Sequence, residues 1–188
     1  MFKQLLDTNI QLLTNPARAW LHISRSSGRA TMFNTFLYPM IALCCLATFL
    51  GTLLGSGSGS ESLYPALMHM GVQFFSFFFS YHIIAILVSK ITTKMYDTEY
   101  DRKITDSLTG YSMVVVMLLN ICLGLFPNFR IIGWIAQFYT VKIVWDGATV
   151  LMRIKEDKRL GYTMMVSLLI IFTPVVMDKI MSVLTNIR

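Results

Sequence analysis

An all-α, polytopic membrane protein is the fold class that three features of this chain predict. Hydrophobic residues make up 55% of the 188 positions and charged ones only 14%, a balance from which a water-facing surface could hardly be built. Apolar runs of about 20 residues, the length a helix needs to cross a hydrocarbon core about 30 Å thick, recur along the sequence. The basic residues fall in short clusters between those runs, as orientation signals and anionic-lipid contacts do, so the net charge of +6 is not read as nucleic-acid binding.

Residues 1–32 form a cytoplasmic amphipathic segment. Phe2, Leu5, Leu6, Ile10 and Leu13 share one helical arc, with Lys3, Gln4, Asp7, Thr8 and Gln11 opposite, the pattern of a helix lying in the membrane interface and too short and polar to span. Asn15 and Pro16 then read as N-cap and first helical position of a second short helix, "PARAWLHI", whose Trp20 suits the headgroup layer. This surface serves either as an anchor packed on the bundle or as a docking face for a cytoplasmic partner. His22 reads as an ordinary interfacial residue.

Residues 33–188 form a transmembrane domain of five expected helices: Phe33 to Leu54, Pro65 to Val88, Leu108 to Phe126, Ile131 to Met152 and Tyr162 to Leu184. The first ends at the flexible "GSGSGSES" hairpin, the third at Pro127, and the fifth carries Pro174 near its middle, where a missing N–H loosens the helix. Lys3, Arg18, Arg25, Arg29, Lys90, Lys94, Arg102, Lys103, Arg153, Lys155, Lys158 and Arg159 fall on one side of these spans. Arg130, Lys179 and Arg188 fall on the other. Positive loops stay in the cytoplasm, which sets the N-terminus inside and the C-terminus outside. A removable signal peptide is not expected, since no small-residue cleavage site follows the first apolar run. Internal repeats are absent from the sequence, and five spans do not divide into the equal halves of many transporters.

Cys44, Cys45 and Cys122 lie within apolar runs without metal-ligand spacing and read as small buried residues; no metal or other cofactor is expected. Metalloprotease, serine-hydrolase and phosphate-loop motifs are missing, as are paired carboxylates at a membrane surface, so the chain is not read as an enzyme. The acids Asp97, Glu99, Asp101 and Asp106, with Lys94, Arg102 and Lys103, read as a solvated loop. His69 and the Asp178/Lys179 pair read as interfacial, and the Phe74 to Phe79 block as helix packing or lipid contact.

The stretch "TVKIVWDGATV" keeps two charges inside the fourth expected span. Lys142 lies roughly 16 Å from the outer entry at about 1.5 Å per residue, and Asp146 stands one turn on, leaning back toward it. A lone lysine there costs on the order of 3 kcal/mol on insertion scales, so the pair is expected to meet. By depth, Gln73, Ser76 and Asn120 stand near Lys142, and Tyr38, Tyr81, His82 and Tyr111 near Asp146. These residues are expected to form one inward-facing polar layer. Structurally it would set helix register through bonds of about 0.6 kcal/mol each; functionally it would line a water-filled path for an ion, proton or lipid headgroup.

With "NPARAW" (Asn15, Pro16, Trp20) ahead of the first span and "GYS" (Gly110, Tyr111, Ser112) opening the third, the layout resembles the Yip-one family of Ypt/Rab-interacting membrane proteins, in its short bacterial form. In "FLYPM", Pro39 alone agrees with the acidic-Leu-x-Gly-Pro element of eukaryotic relatives. The resemblance implies action through protein partners, as eukaryotic relatives act in vesicle traffic, and supplies no reaction or substrate for bacterial members. The first reading is a bacterial inner-membrane scaffold without enzymatic activity, binding protein partners through its cytoplasmic face and compatible with a homo-oligomer. The second reading is a small channel or carrier built around Lys142 and Asp146.

Overall fold

Within a bilayer the backbone must satisfy its own N–H and C=O groups, which leaves helices as the form available to apolar runs of this length. This computed structural model describes residues 2–26, 29–55, 63–95, 102–126 and 130–185, and its regular structure among them is helical throughout. In order these are α1 (Phe2–Thr14), α2 (Pro16–Ser26), α3 (Arg29–Met32), a π-helical turn (Phe33–Leu37), α4 (Tyr38–Gly55), α5 (Leu63–Met95), α6 (Arg102–Ser112), α7 (Val114–Leu125), α8 (Arg130–Gln137), α9 (Tyr139–Val150) and α10 (Glu156–Leu184). The Gly/Ser hairpin, the loop acids Asp97, Glu99 and Asp101, Pro127 and Arg188 lie outside the described residues.

Four segments are long and apolar enough to cross a membrane: Phe33–Gly55, Leu63–Lys94, Arg102–Leu125 and Glu156–Leu184. The fourth expected span is instead two helices, α8 and α9, interrupted at Phe138. There the Phe138 N–H bonds the Ile135 carbonyl at 3.2 Å and the Val141 N–H bonds the Phe138 carbonyl at 3.0 Å, the tighter pairing of a 3₁₀ turn. Helices α5 and α10 also run past the ends expected for their spans, because hydropathy marks the edge of the hydrocarbon and not the end of the helix.

Side-chain proximities give the directions. Ser89 and Lys90 near the end of α5 share a cavity wall with Arg102 and Asp106 at the start of α6. At the other end, Gln73 of α5, Asn120 of α7, Gln137 of α8 and Asp178 of α10 line another. The Thr92 hydroxyl is hydrogen-bonded to the Tyr162 hydroxyl at 3.2 Å, tying the end of α5 to the beginning of α10. So α6–α7 and α10 both run antiparallel to α5, and α8–α9 returns between them along the bundle.

The π-helical turn has a local cause. Pro39 offers no N–H and its ring crowds the carbonyl four residues earlier; the chain widens just before it, the Tyr38 N–H reaching back to the Phe33 carbonyl. Beyond it, α4 sorts its faces by side-chain size. Leu46, Leu50 and Leu54 point outward, while Cys44, Ala47 and Gly51 meet α7, where the Cys44 thiol donates to the Met117 carbonyl at 3.3 Å. A Cβ on Gly51 would overlap the Gly124 carbonyl oxygen, and one on Gly124 would stand 3.2 Å from the Ala47 carbonyl carbon. Small residues four apart let two backbones touch, which matters in lipid because hydrocarbon tails compete with any looser apolar contact.

Outward-facing Phe75, Phe79, Leu168, Phe172 and Val176 continue the apolar coat, whereas Phe77 is buried, so the phenylalanine block divides between lipid side and core. Of the three cysteines, Cys44 and Cys45 are buried as expected and Cys122 is exposed, on the outward face of α7. Replacing Gly51 by Leu is expected to force α4 and α7 apart, at about 2 kcal/mol or more. Thermal unfolding in mild detergent should show the loss, while Leu50→Ala on the outer face leaves the midpoint close to wild type.

Candidate functional site

The N-terminal helices are built into the bundle. Asn15 caps α2 as expected, its side-chain oxygen accepting from the Arg18 N–H at 3.2 Å, with Pro16 as the first helical residue. That cap aims the next turns of α2 at α9. Trp20 is fully buried, and its indole N–H donates to the Ile143 carbonyl at 2.9 Å. Trp20 therefore faces the bundle and not lipid headgroups. Its ring fits because α9 offers Gly147 at the crossing: a Cβ there would meet Trp20 Cε2 at 3.0 Å and run into Leu108. The Tyr139 hydroxyl donates to the Leu13 carbonyl at 2.7 Å, and the Asn9 amide reaches the Met40 sulfur at 3.4 Å. In α1 the buried residues are Leu5, Asn9 and Leu12, while Leu6, Ile10 and Leu13 stay exposed, as does Leu21 of α2.

Beneath this cover lies the least expected element. Helix α6 carries Thr105, Asp106, Ser107, Thr109, Gly110, Tyr111 and Ser112, all buried. Asp106 is only 3% exposed, so it is no part of a solvated loop; hydropathy cannot register a polar helix enclosed by other helices. Tyr111 packs between Phe36, 4.7 Å between ring centroids, and the edge of Trp20 at 6.2 Å. Gly110 lies against Met32, and Ser112 closes the helix before the break at Met113. The family-like residues Trp20 and Tyr111 thus meet, and their neighbour Gly110 packs against Met32. A cavity of about 330 Å³ opens beside it, lined by Gln4, Asp7, Gln11, His22, Thr35 and Tyr111 among others.

Lys142 and Asp146 do meet, the ammonium lying 3.3 Å from each carboxylate oxygen. Their orientation is not the expected one: the Lys142 side chain is 57% exposed and faces out of the bundle, against 13% for Asp146. The single inward layer is replaced by separate groups. Gln73, Ser76 and Asn120 line a cavity of about 160 Å³ with Gln137 and Asp178. Tyr81 and His82 line one of about 380 Å³ with Ser89, Lys90, Arg102 and Asp106. His82 donates from Nδ1 to the Phe78 carbonyl at 2.8 Å. Tyr38 is exposed and stacks obliquely on Phe33, which also meets the buried Tyr81. Gln73, Ser76 and Asn120, expected at one level, line one cavity; rotation about each helix was not readable from the sequence.

Residues not singled out as site members are Gln137, the buried hydroxyls of Thr105, Ser107 and Thr109 in α6, and Asp178, read from sequence as interfacial. Arg159 also gains a role, its guanidinium lying 5.4 Å from the Trp145 ring centroid and joining the start of α10 to α9. Among the described residues no cluster of His, Cys, Asp and Glu is arranged to hold a metal.

Trp20→Phe removes the indole donor and is expected to lower stability by about 1 kcal/mol. Gly147→Val should displace the ring altogether, and limited proteolysis of the purified protein should then cut within residues 1–26 much faster than in wild type, while the remaining helices stay protected.

A family model described as "Yip1 domain" matches residues 10–177. No curated protein and no solved structure matches the chain. The matched stretch begins inside α1 and ends within α10, so it takes in the Trp20 contact, helix α6, the first three long apolar segments and most of the fourth. The chain is a membrane protein of the Yip1-domain family.

Proposed function

We propose that this protein is a non-enzymatic scaffold of a bacterial inner membrane, crossing it five times with the N-terminus inside and the C-terminus outside, and receiving protein partners on its cytoplasmic face. The observation that carries this reading is the docking of α1 and α2 onto the bundle, through Trp20 and Tyr139 to α9, Trp20 to Tyr111 of α6, and Asn9 to Met40 of α4. A segment that only anchored the chain in the interface would turn its apolar residues to lipid. Here the apolar residues divide, Leu5 and Leu12 gripping the bundle while Leu6, Ile10, Leu13 and Leu21 stay available on a rigid platform. The fifth crossing is supported by direction: α7 ends and α10 begins at opposite ends of α5, so α8–α9 has to travel the distance between them. Arg153, Lys155, Lys158 and Arg159 then fall on the cytoplasmic side, as the positive-inside rule asks. A carrier centred on Lys142 and Asp146 loses support, since that pair closes on itself within one helix and lines none of the three polar cavities described above.

Orientation is open to cysteine labelling with a membrane-impermeant reagent in a background free of native cysteines. Ser182→Cys should react in intact cells and Lys158→Cys only after permeabilisation; the reverse pattern would overturn the proposed orientation, through either an uncrossed α8–α9 or an N-terminus outside. Partner docking is testable by placing a photo-crosslinking amino acid at Leu6, Ile10 or Leu21 in cells. All three should trap the same protein, a control at Leu46 should not, and Trp20→Ala should abolish the adduct. Lipid adducts alone at every position would reduce the platform to a membrane anchor.

A further inference from the structure

The cavity at the meeting of α5, α7, α8 and α10 has a donor set unlike the rest of the bundle. Its polar walls are Gln73, Ser76, Asn120, Gln137 and Asp178. Asp178 is the one carboxylate among them, and the others can each turn a neutral oxygen inward. Ser76 is 1% exposed, and both its hydroxyl and the Asn120 side-chain oxygen are buried without a hydrogen-bond partner among the described residues. Buried polar atoms in lipid-embedded helices are expected to find partners; other buried hydroxyls of the bundle share this state, but these two line one cavity together with a carboxylate, which points to something that binds there. Pro174 lines the same space and removes the N–H that the Ile170 carbonyl would otherwise accept. Gln137 reaches it because α8 ends at the Phe138 turn, so the break in the helix serves this place.

We infer that this cavity binds one hard monovalent cation of the sodium type, held by the Asp178 carboxylate and the side-chain oxygens of Asn120, Ser76, Gln73 and Gln137. The charge arithmetic favours a monovalent ion: one carboxylate balances one positive charge, whereas calcium sites gather six to eight oxygens and usually several carboxylates. At about 160 Å³ the cavity has room for the ion and a few waters, each occupying about 30 Å³ in the liquid. Broken helices and freed carbonyls at mid-membrane are the setting in which sodium is bound in other membrane folds. Lys179 and His69 act on Asp178 through their charge, and neither lines the cavity. This site is separate from the platform, and neither proposal depends on the other.

Equilibrium binding of radioactive sodium to the purified full-length chain in detergent, with choline chloride holding ionic strength constant, tests it directly. Wild type should bind saturably to a single class of sites. Asp178→Asn should weaken binding about tenfold or more, the loss expected when a charged partner leaves a buried contact. Ser76→Ala should cause a smaller loss, and it keeps the test decisive if Asp178→Asn does not fold. Lys142→Met, outside the cavity, should bind as wild type does. Absence of saturable binding to folded wild type, or unchanged affinity in both Asp178→Asn and Ser76→Ala, would overturn the assignment; displacement of sodium by far lower concentrations of calcium would overturn its monovalent character.

Discussion

The arrangement of this molecule depends on one hydrogen bond made across 123 residues of sequence, from the Trp20 indole to the Ile143 carbonyl. A helix carbonyl already serves the helix, so a second donor can reach it only where neighbouring side chains stand aside, and Gly147 one turn on provides that gap. Once the indole is seated, α2 lies against α9, Tyr111 is enclosed between Trp20 and Phe36, and the polar face of α6 is shut away from lipid. Without that cover, buried threonines and serines and Asp106 would confront hydrocarbon or water, and neither matches the packing they now have. The N-terminal helices are thus a structural wall of the bundle as well as its outer surface.

How much of this was legible in the sequence follows from what each kind of residue reports. Long apolar runs mark helices directly, and four of the five expected spans correspond to long apolar segments. Asn15 followed by Pro16 marked a helix start because the geometry of a cap is local. The break at Phe138 left no such mark, since no proline or glycine stands there and the 3₁₀ turn is visible only in its hydrogen bonds. Residues around the eventual crossing of α4 and α7 were readable only as apolar filler; Ala47, Gly51 and Gly124 acquire meaning from a partner backbone distant in sequence.

The polar sites show the same division. Counting residues from the membrane edge placed Gln73, Ser76 and Asn120 at one level, and they do share a cavity. It could not say which way Lys142 turns, because a change of one residue rotates a side chain by about 100° around the helix while moving it only about 1.5 Å along the axis. Asp106 was misplaced for a related reason: a charged residue near a basic loop looks solvated until the helices that enclose it are known. The Yip1-domain match extends across these features but says nothing about which of them a partner or ion would use.

The length of α5 bears on more than packing. Its 33 residues make a rod of about 50 Å, and the 29 of α10 one of about 43 Å, against a hydrocarbon slab of about 30 Å. The Thr92–Tyr162 clasp fixes the two rods to each other where α5 nears its end and α10 begins. Helices longer than the slab relieve the mismatch by tilting or by thickening the bilayer around them, and two clasped rods have to tilt together.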